Sequence, residues 1–158
     1  MIRLNNLTCE APLMSPKQKK SRRIKHDINF VPYPEEQGDE FFPNGVFVFN
    51  ITRVQAYLDS DECKITPGGV RVEDCPRYSS SLDESYVDSA DLQKPVILAE
   101  IVPGRYNLID GHHRMEKARR MAWQQLPCYR LAATEHIRFL TTRKGYDAYV
   151  DYWNDKLE

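Results

Sequence analysis

The sequence predicts a small single-domain α+β fold, on three observations. Its 158 residues, 41% hydrophobic and 28% charged, fit one globular domain that can bury a core without disulfide staples. A β-hairpin is legible between Val96 and Ile109, which calls for antiparallel pairing. Helical periodicity follows that hairpin directly and returns near the C-terminus.

Residues 1–43 read as an N-terminal arm, because prolines at 12, 16, 32, 34 and 43 discourage regular structure. One strand is expected there, at Ile28–Val31. The arm is polarised: Lys17, Lys19, Lys20, Arg22, Arg23 and Lys25 are followed by Glu35, Glu36, Asp39 and Glu40. The domain proper then runs over 44–158. Pro43-Asn44-Gly45 is a turn and Val46–Phe49 a short buried strand. Asn50 or Thr52 caps a helix through Leu58 that carries Val54 and Leu58 on one face.

Residues 59–93 hold Asp, Ser, Gly and Pro with little apolar periodicity. Pro67-Gly68-Gly69 and the serines at 79–81 make this a long loop inserted in the domain. After Pro95, Val96–Val102 and Tyr106–Ile109 are strands joined by a tight Pro103-Gly104 turn. Gly111–Ala122 is helical, with Met115, Ala118 and Met121/Ala122 facing inward. Leu126–Leu131 is a further strand, and a helix starts near Thr134. Tyr146, Tyr149, Val150 and Trp153 recur at i, i+3, i+4 and i+7, the pattern of a terminal helix docked on its own core. A partner or cofactor face is the alternative use of that stripe.

Lys+Arg (22) and Asp+Glu (23) nearly cancel, so the chain is no polycation and any anion site is local. Cys9, Cys63, Cys75 and Cys128 form no C-x-x-C pair, which excludes a zinc knuckle and a redox motif. Apolar runs such as Val46–Phe49 are far too short to span a membrane. No apolar segment suited to secretion follows the N-terminal charges. Reduced thiols and a cytoplasmic location, with no membrane partner, are the expectation.

Chemistry is concentrated in YNLIDGHHRMEKARRM, residues 106–121. A strand ending in Asp110-Gly111 and feeding a helix directs backbone N–H groups and the positive helix end outward, which suits an anion. Gly111 allows a tight turn and close approach of a ligand. His112, His113 and Arg114 crowd the first turn, where cations oppose the dipole unless an anion lies between. Arg114 can grip a phosphate bidentately. Asp110 is placed to cap the helix or to meet a divalent ion. Ordinary cap chemistry accounts equally for the bare motif. A metal bound by both histidines is disfavoured, because adjacent helical side chains diverge by about 100°.

The block LIDGHHRMEKARRMAWQQLPCYRL, preceded by KPVILAEIVPGRYN, resembles the core of the ParB/sulfiredoxin superfamily. Pro95, Ile109-Asp110-Gly111, His113-Arg114, Ala118, Trp123 and Pro127 occupy the places of its pattern over residues 94–133. VFVFNITRVQAYL is similar to its earlier strand–helix unit. The resemblance implies a mixed sheet flanked by helices and a phosphate resting on the helix N-terminus. Sulfiredoxins carry a nucleophilic cysteine where this chain has His112, so sulfinic-acid reduction is not expected. Partition-type ParB proteins continue into a helix-turn-helix; residues 134–158 are short for one, so centromere recognition is not expected. Free-serine kinases of the superfamily carry a D-G-H-x-R turn, which Asp110, Gly111, His112 and Arg114 resemble most closely. Other stand-alone members are ATPases with nuclease activity.

The resemblance thus implies a nucleotide-dependent phosphotransferase or phosphohydrolase, of ATPase/CTPase or nuclease type, using ATP or CTP with Mg2+. Gly111, His112, His113 and Arg114 are the expected phosphate cradle. Asp110, His112, His113 and Glu36 are the candidate catalytic groups, with Asp110 also the candidate Mg2+ ligand and Glu35 and Glu100 further candidate bases. The competing reading is a non-catalytic module of the same fold. It would bind DNA through residues 17–25, by counterion release, or act by binding a partner protein or a second copy of itself.

Overall fold

The computed structural model describes residues 9–10, 15–77 and 82–158. Its centre is a five-stranded mixed sheet: β1 (Cys9–Glu10), β6 (Arg105–Asp110), β5 (Val96–Val102), β7 (Gln125–Leu131) and β4 (Gly68–Arg71), in that order. β5 and β7 are parallel; the other neighbours are antiparallel. A separate hairpin joins β2 (Phe41–Asn44) to β3 (Phe47–Asn50). Helices α1 (Pro16–Ser21), α2 (Ile51–Leu58), α3 (Glu84–Ser89), α4 (His112–Arg120), α5 (Ala133–His136) and α6 (Arg143–Lys156) complete the described chain. The α+β class therefore stands. Among the described residues no helix is long and apolar enough to cross a membrane.

The strand pattern explains the layering. β5 reads VILAEIV and is buried along nearly its whole length, as a central strand covered on both faces must be. Ile97, Ala99 and Ile101 face α2 and α6, in a core with Phe49, Val54, Tyr149, Val150 and Trp153. Val96 and Leu98 face α4, in a second core with Met115, Ala118, Leu126 and Cys128. The aromatic stripe of the C-terminal helix is thus spent on the domain's own core. Tyr149 donates from its hydroxyl to the carbonyls of Glu100 and Ile101, which satisfies its polar end inside that core.

Three sequence-based expectations are corrected. Ile28–Val31 is a turn and extended chain, with Ile28 and Val31 about four-fifths exposed; its apolar side chains have no sheet neighbour to pair with. The segment instead straps onto α6. Asn154 takes the Ile24 N–H and donates to its carbonyl, the Asp27 N–H reaches the Tyr146 hydroxyl, and Phe30 stacks on Tyr146. Second, the 59–93 segment is not merely a loop. It supplies β4 and α3, and it buries Val70, Val72, Cys75, Val87 and Leu92, too widely spaced to show periodicity in the sequence. The serines at 79–81 lie outside the described residues. Third, β2 spans the arm–domain boundary drawn at residue 43, because Phe41 to Asn44 pair with β3 across a two-residue turn opened by Gly45 at φ +64°. The cap of α2 is Asn50, whose side chain accepts the Arg53 N–H at 3.1 Å.

The end of α4 makes one stability prediction. Ala122 is the only non-glycine residue with positive φ (+57°) among the described residues, at the position where glycine normally closes a helix. Trp123 N–H bonds back to Ala118 and Ala122 N–H to Arg119, the pattern of a Schellman closure. Ala122→Gly should therefore stabilise the fold, by about 0.5–1 kcal/mol after the entropy glycine gains unfolded. A chemical denaturation midpoint that moves down would contradict this.

Candidate functional site

β6 delivers Asp110 to the edge of the sheet, and Gly111 turns the chain into α4. Gly111 is held at φ +101°, and a Cβ there would sit 2.5 Å from Val96 Cγ1, so only glycine fits. Gly111, not Asp110, is the N-cap, and no side chain caps the helix. Asp110's expected capping role is thereby corrected. The intrahelical ladder begins with Met115 N–H to the Gly111 carbonyl, so the His113 and Arg114 N–H groups lie ahead of it, at the helix mouth.

This helix mouth lines a cavity of about 870 Å³, within the size range of small-molecule sites. Its walls come from four places: Glu40, Phe41 and Phe42 beside and on β2, Ile51 and Gln55 on α2, Tyr86 and Ser89 on α3, and Asp91 with Lys94 before β5. Asp110, Gly111, His112, His113 and Arg114 complete it. The structure thus brings together every site residue read from the turn. Glu36 is not among the lining residues; it is exposed and pairs with Arg53 at 3.1 Å. Glu35 is exposed as well. Glu100 is buried, paired with Arg22 and accepting the Gly104 N–H at 2.9 Å, far from a solvent-facing base.

Within the cavity the charged groups are already engaged with each other. Arg114 is only 8% exposed. It donates to the carbonyls of Lys94 (3.0 Å) and Pro95 (2.7 Å) and to Asp110 Oδ2 (3.0 Å). The same Asp110 oxygen accepts Gln55 Nε2 at 2.9 Å. Arg114 is therefore a clasp between β5, β6 and α4 before it is a ligand. His112 and His113 diverge as adjacent helical residues should. His112 stacks on Phe42 with ring centroids 5.0 Å apart, and His113 meets the edge of Tyr86 at 5.6 Å.

Burial pushes His112 down to about 4, against the opposing pull of Asp110, so at neutral pH it presents an uncharged ring. His136, fully buried in the other core, is likewise pushed down to about 4 by burial. Both imidazoles gain protons more readily unfolded than folded. Stability should thus be level above the ordinary histidine pKa of about 6.5 and fall as pH drops from there towards 4, by up to about 3 kcal/mol for each ring. His26, raised by its bonds to Asp151 and Asp147, acts in the opposite sense, but on an exposed surface its effect is small. Denaturation midpoints measured between pH 4 and 7.5 check this, and a flat profile would contradict it.

Further cations are spent on structure. Arg120 bridges Glu84 on α3 and Glu116, Lys117 donates to the carbonyls of Asp88 and Ala90, and Arg119 donates to the Cys75 carbonyl. The Arg120 and Lys117 contacts tie α3 to α4 as a wall of the cavity. In the arm, Arg22 pairs with Glu100 and lies over Trp153, and Arg23 pairs with Glu158. The side chains of Lys19 and Lys20 lie outside the described residues. Among the described residues no group of three or more His, Cys, Asp or Glu side chains is arranged to hold a metal.

The sequence reading missed Gln55, Lys94, Phe42, Tyr86 and Glu40 as site residues. None stands in the 106–121 stretch, and each reaches the cavity only through the tertiary fold. Comparison with protein-family models, characterised proteins and solved structures finds no match to this chain.

Proposed function

We propose that this cavity binds the phosphate of a nucleotide, ATP or CTP, and that the chain is a phosphohydrolase or phosphotransferase of ATPase/CTPase or nuclease type. The observation that carries the reading is the uncapped first turn of α4 opening on a roomy cavity where Gly111 keeps the backbone bare. The turn's resemblance to the ParB/sulfiredoxin superfamily points the same way. Lys94 and His113 are the side chains suited to meet phosphate oxygens, while Phe41, Phe42 and Tyr86 offer apolar surface to a base. A divalent ion, when it accompanies the nucleotide, supplies charge neutralisation. The carboxylates lining the cavity are Asp110, Glu40 and Asp91, of which Asp110 is already matched by Arg114. Glu40 is accordingly a better-placed candidate base than Glu36.

A second reading, a non-catalytic phosphate-binding module, is favoured by one observation: Asp110 and Arg114, the groups expected to act chemically, neutralise each other. A thermal-shift panel of ATP, CTP, GTP, phosphoserine and short DNA, with and without Mg2+, separates the readings. A ligand at a hundred times its dissociation constant should stabilise by about 2.7 kcal/mol, roughly 5–10 °C for a chain of this size. Lys94→Ala should weaken the best ligand about three- to tenfold without changing the unliganded Tm. Phosphate release with that ligand supports the enzyme; binding without release supports the module; no shift with any ligand overturns both.

A further inference from the structure

Gln55 has no part in core packing: the buried face of α2 is Ile51, Val54 and Leu58. It is half-buried, lines the cavity, and gives its amide to Asp110. Among the described residues Asp110 receives one further side-chain donor, Arg114, which two backbone carbonyls hold in place independently of Gln55. The carboxylate is thereby fixed by donors from two helices that lie on opposite faces of the sheet. With the side chain four-fifths buried, few other orientations are open to it while both donors stay.

We propose that Gln55 is a positioning residue of the cavity, acting through Asp110. It keeps the carboxylate turned onto Arg114, so that the negative charge is neutralised rather than presented to an anionic ligand. This rests on the reading of the cavity as a phosphate site and deepens it by naming what regulates its charge. Without the Gln55 amide, Asp110 keeps a single side-chain donor among the described residues and can rotate into the cavity, where it repels phosphate. The amide is suited to the task because it donates without adding charge, whereas a lysine or arginine at 55 would itself compete for Asp110.

The test is a double-mutant cycle read as affinity for inorganic pyrophosphate. Gln55→Leu, close in volume, should weaken binding about tenfold, the equivalent of one charge-assisted hydrogen bond. Asp110→Asn removes the charge that Gln55 restrains, so in the Asp110→Asn background the Gln55→Leu effect should vanish. A purely structural role predicts equal losses in both backgrounds. Gln55→Ala serves as the second variant if Gln55→Leu fails to fold, with unliganded Tm as the control for each protein. Equal losses in both backgrounds, or no loss from Gln55 variants in a wild type that binds pyrophosphate, would overturn the inference and leave the site intact. A wild type that binds no pyrophosphate would overturn both together.

Discussion

Arg114→Ala should lower stability by about 2–4 kcal/mol, a fall of roughly 5–15 °C in Tm. The guanidinium is nearly enclosed and serves three acceptors at once: two carbonyls at the start of β5 and the carboxylate at the end of β6. Its removal leaves Asp110 with an uncompensated charge and the Lys94 and Pro95 carbonyls without that donor. Arg114→Lys should recover only part of the loss, since an ammonium cannot reproduce the planar fork that spans these acceptors. The consequence for function is direct. Loss of nucleotide turnover in Arg114→Ala would report unfolding as readily as a lost ligand, so Lys94 is the better probe of binding. Thermal denaturation of the three proteins checks the order wild type, Lys, Ala. An alanine variant as stable as wild type would show that the clasp contributes nothing.

Gly111→Ala should cost as much or slightly more, roughly 2–5 kcal/mol. Two effects add: the left-handed backbone, at about 1–2 kcal/mol, and the collision of the new methyl with Val96, an overpacking of about 1–3 kcal/mol. Gly45 separates the two. It also has positive φ, but a Cβ there meets nothing within 4 Å, so Gly45→Ala should cost only the backbone share. Matched denaturation curves for the two variants test this. Equal losses would mean that Val96 yields and that close approach is not why glycine stands at the turn.

The hairpin, α4, β7 and the docked terminal helix were legible because their apolar residues follow a local period, two for strands and 3.6 for helices. Met115 and Ala118 fell on the inner face of α4 as expected, and Tyr149 and Trp153 on that of α6, whereas Met121 and Ala122 lie beyond the end of α4 and are exposed. β4 and α3 were not legible. Each is short and contributes one or two anchors, such as Val70 and Val87, whose burial depends on partners far along the chain. β2 was hidden by Pro43, which an isolated hairpin tolerates.

The turn itself was readable from Asp110 to Arg114, since its chemistry is local. What each residue does there was not. Whether Arg114 faces a ligand or Asp110 is decided by the carbonyls of Lys94 and Pro95, and whether His112 carries charge is decided by its burial against Phe42. The basic stretch at 17–25 illustrates the same limit. Arg22 looked like part of a nucleic-acid arm and is paired instead with a buried glutamate 78 positions away.

A first turn of α4 that grips phosphate oxygen must report it in its own amides. Amide chemical shifts of the whole protein, followed during titration with ATP and with pyrophosphate, test it most directly. Saturable shifts are expected at the backbone N–H groups of His112, His113 and Arg114, larger than anywhere else in the chain. Shifts confined to residues 17–25, or none at the α4 mouth at saturating ligand, would contradict it.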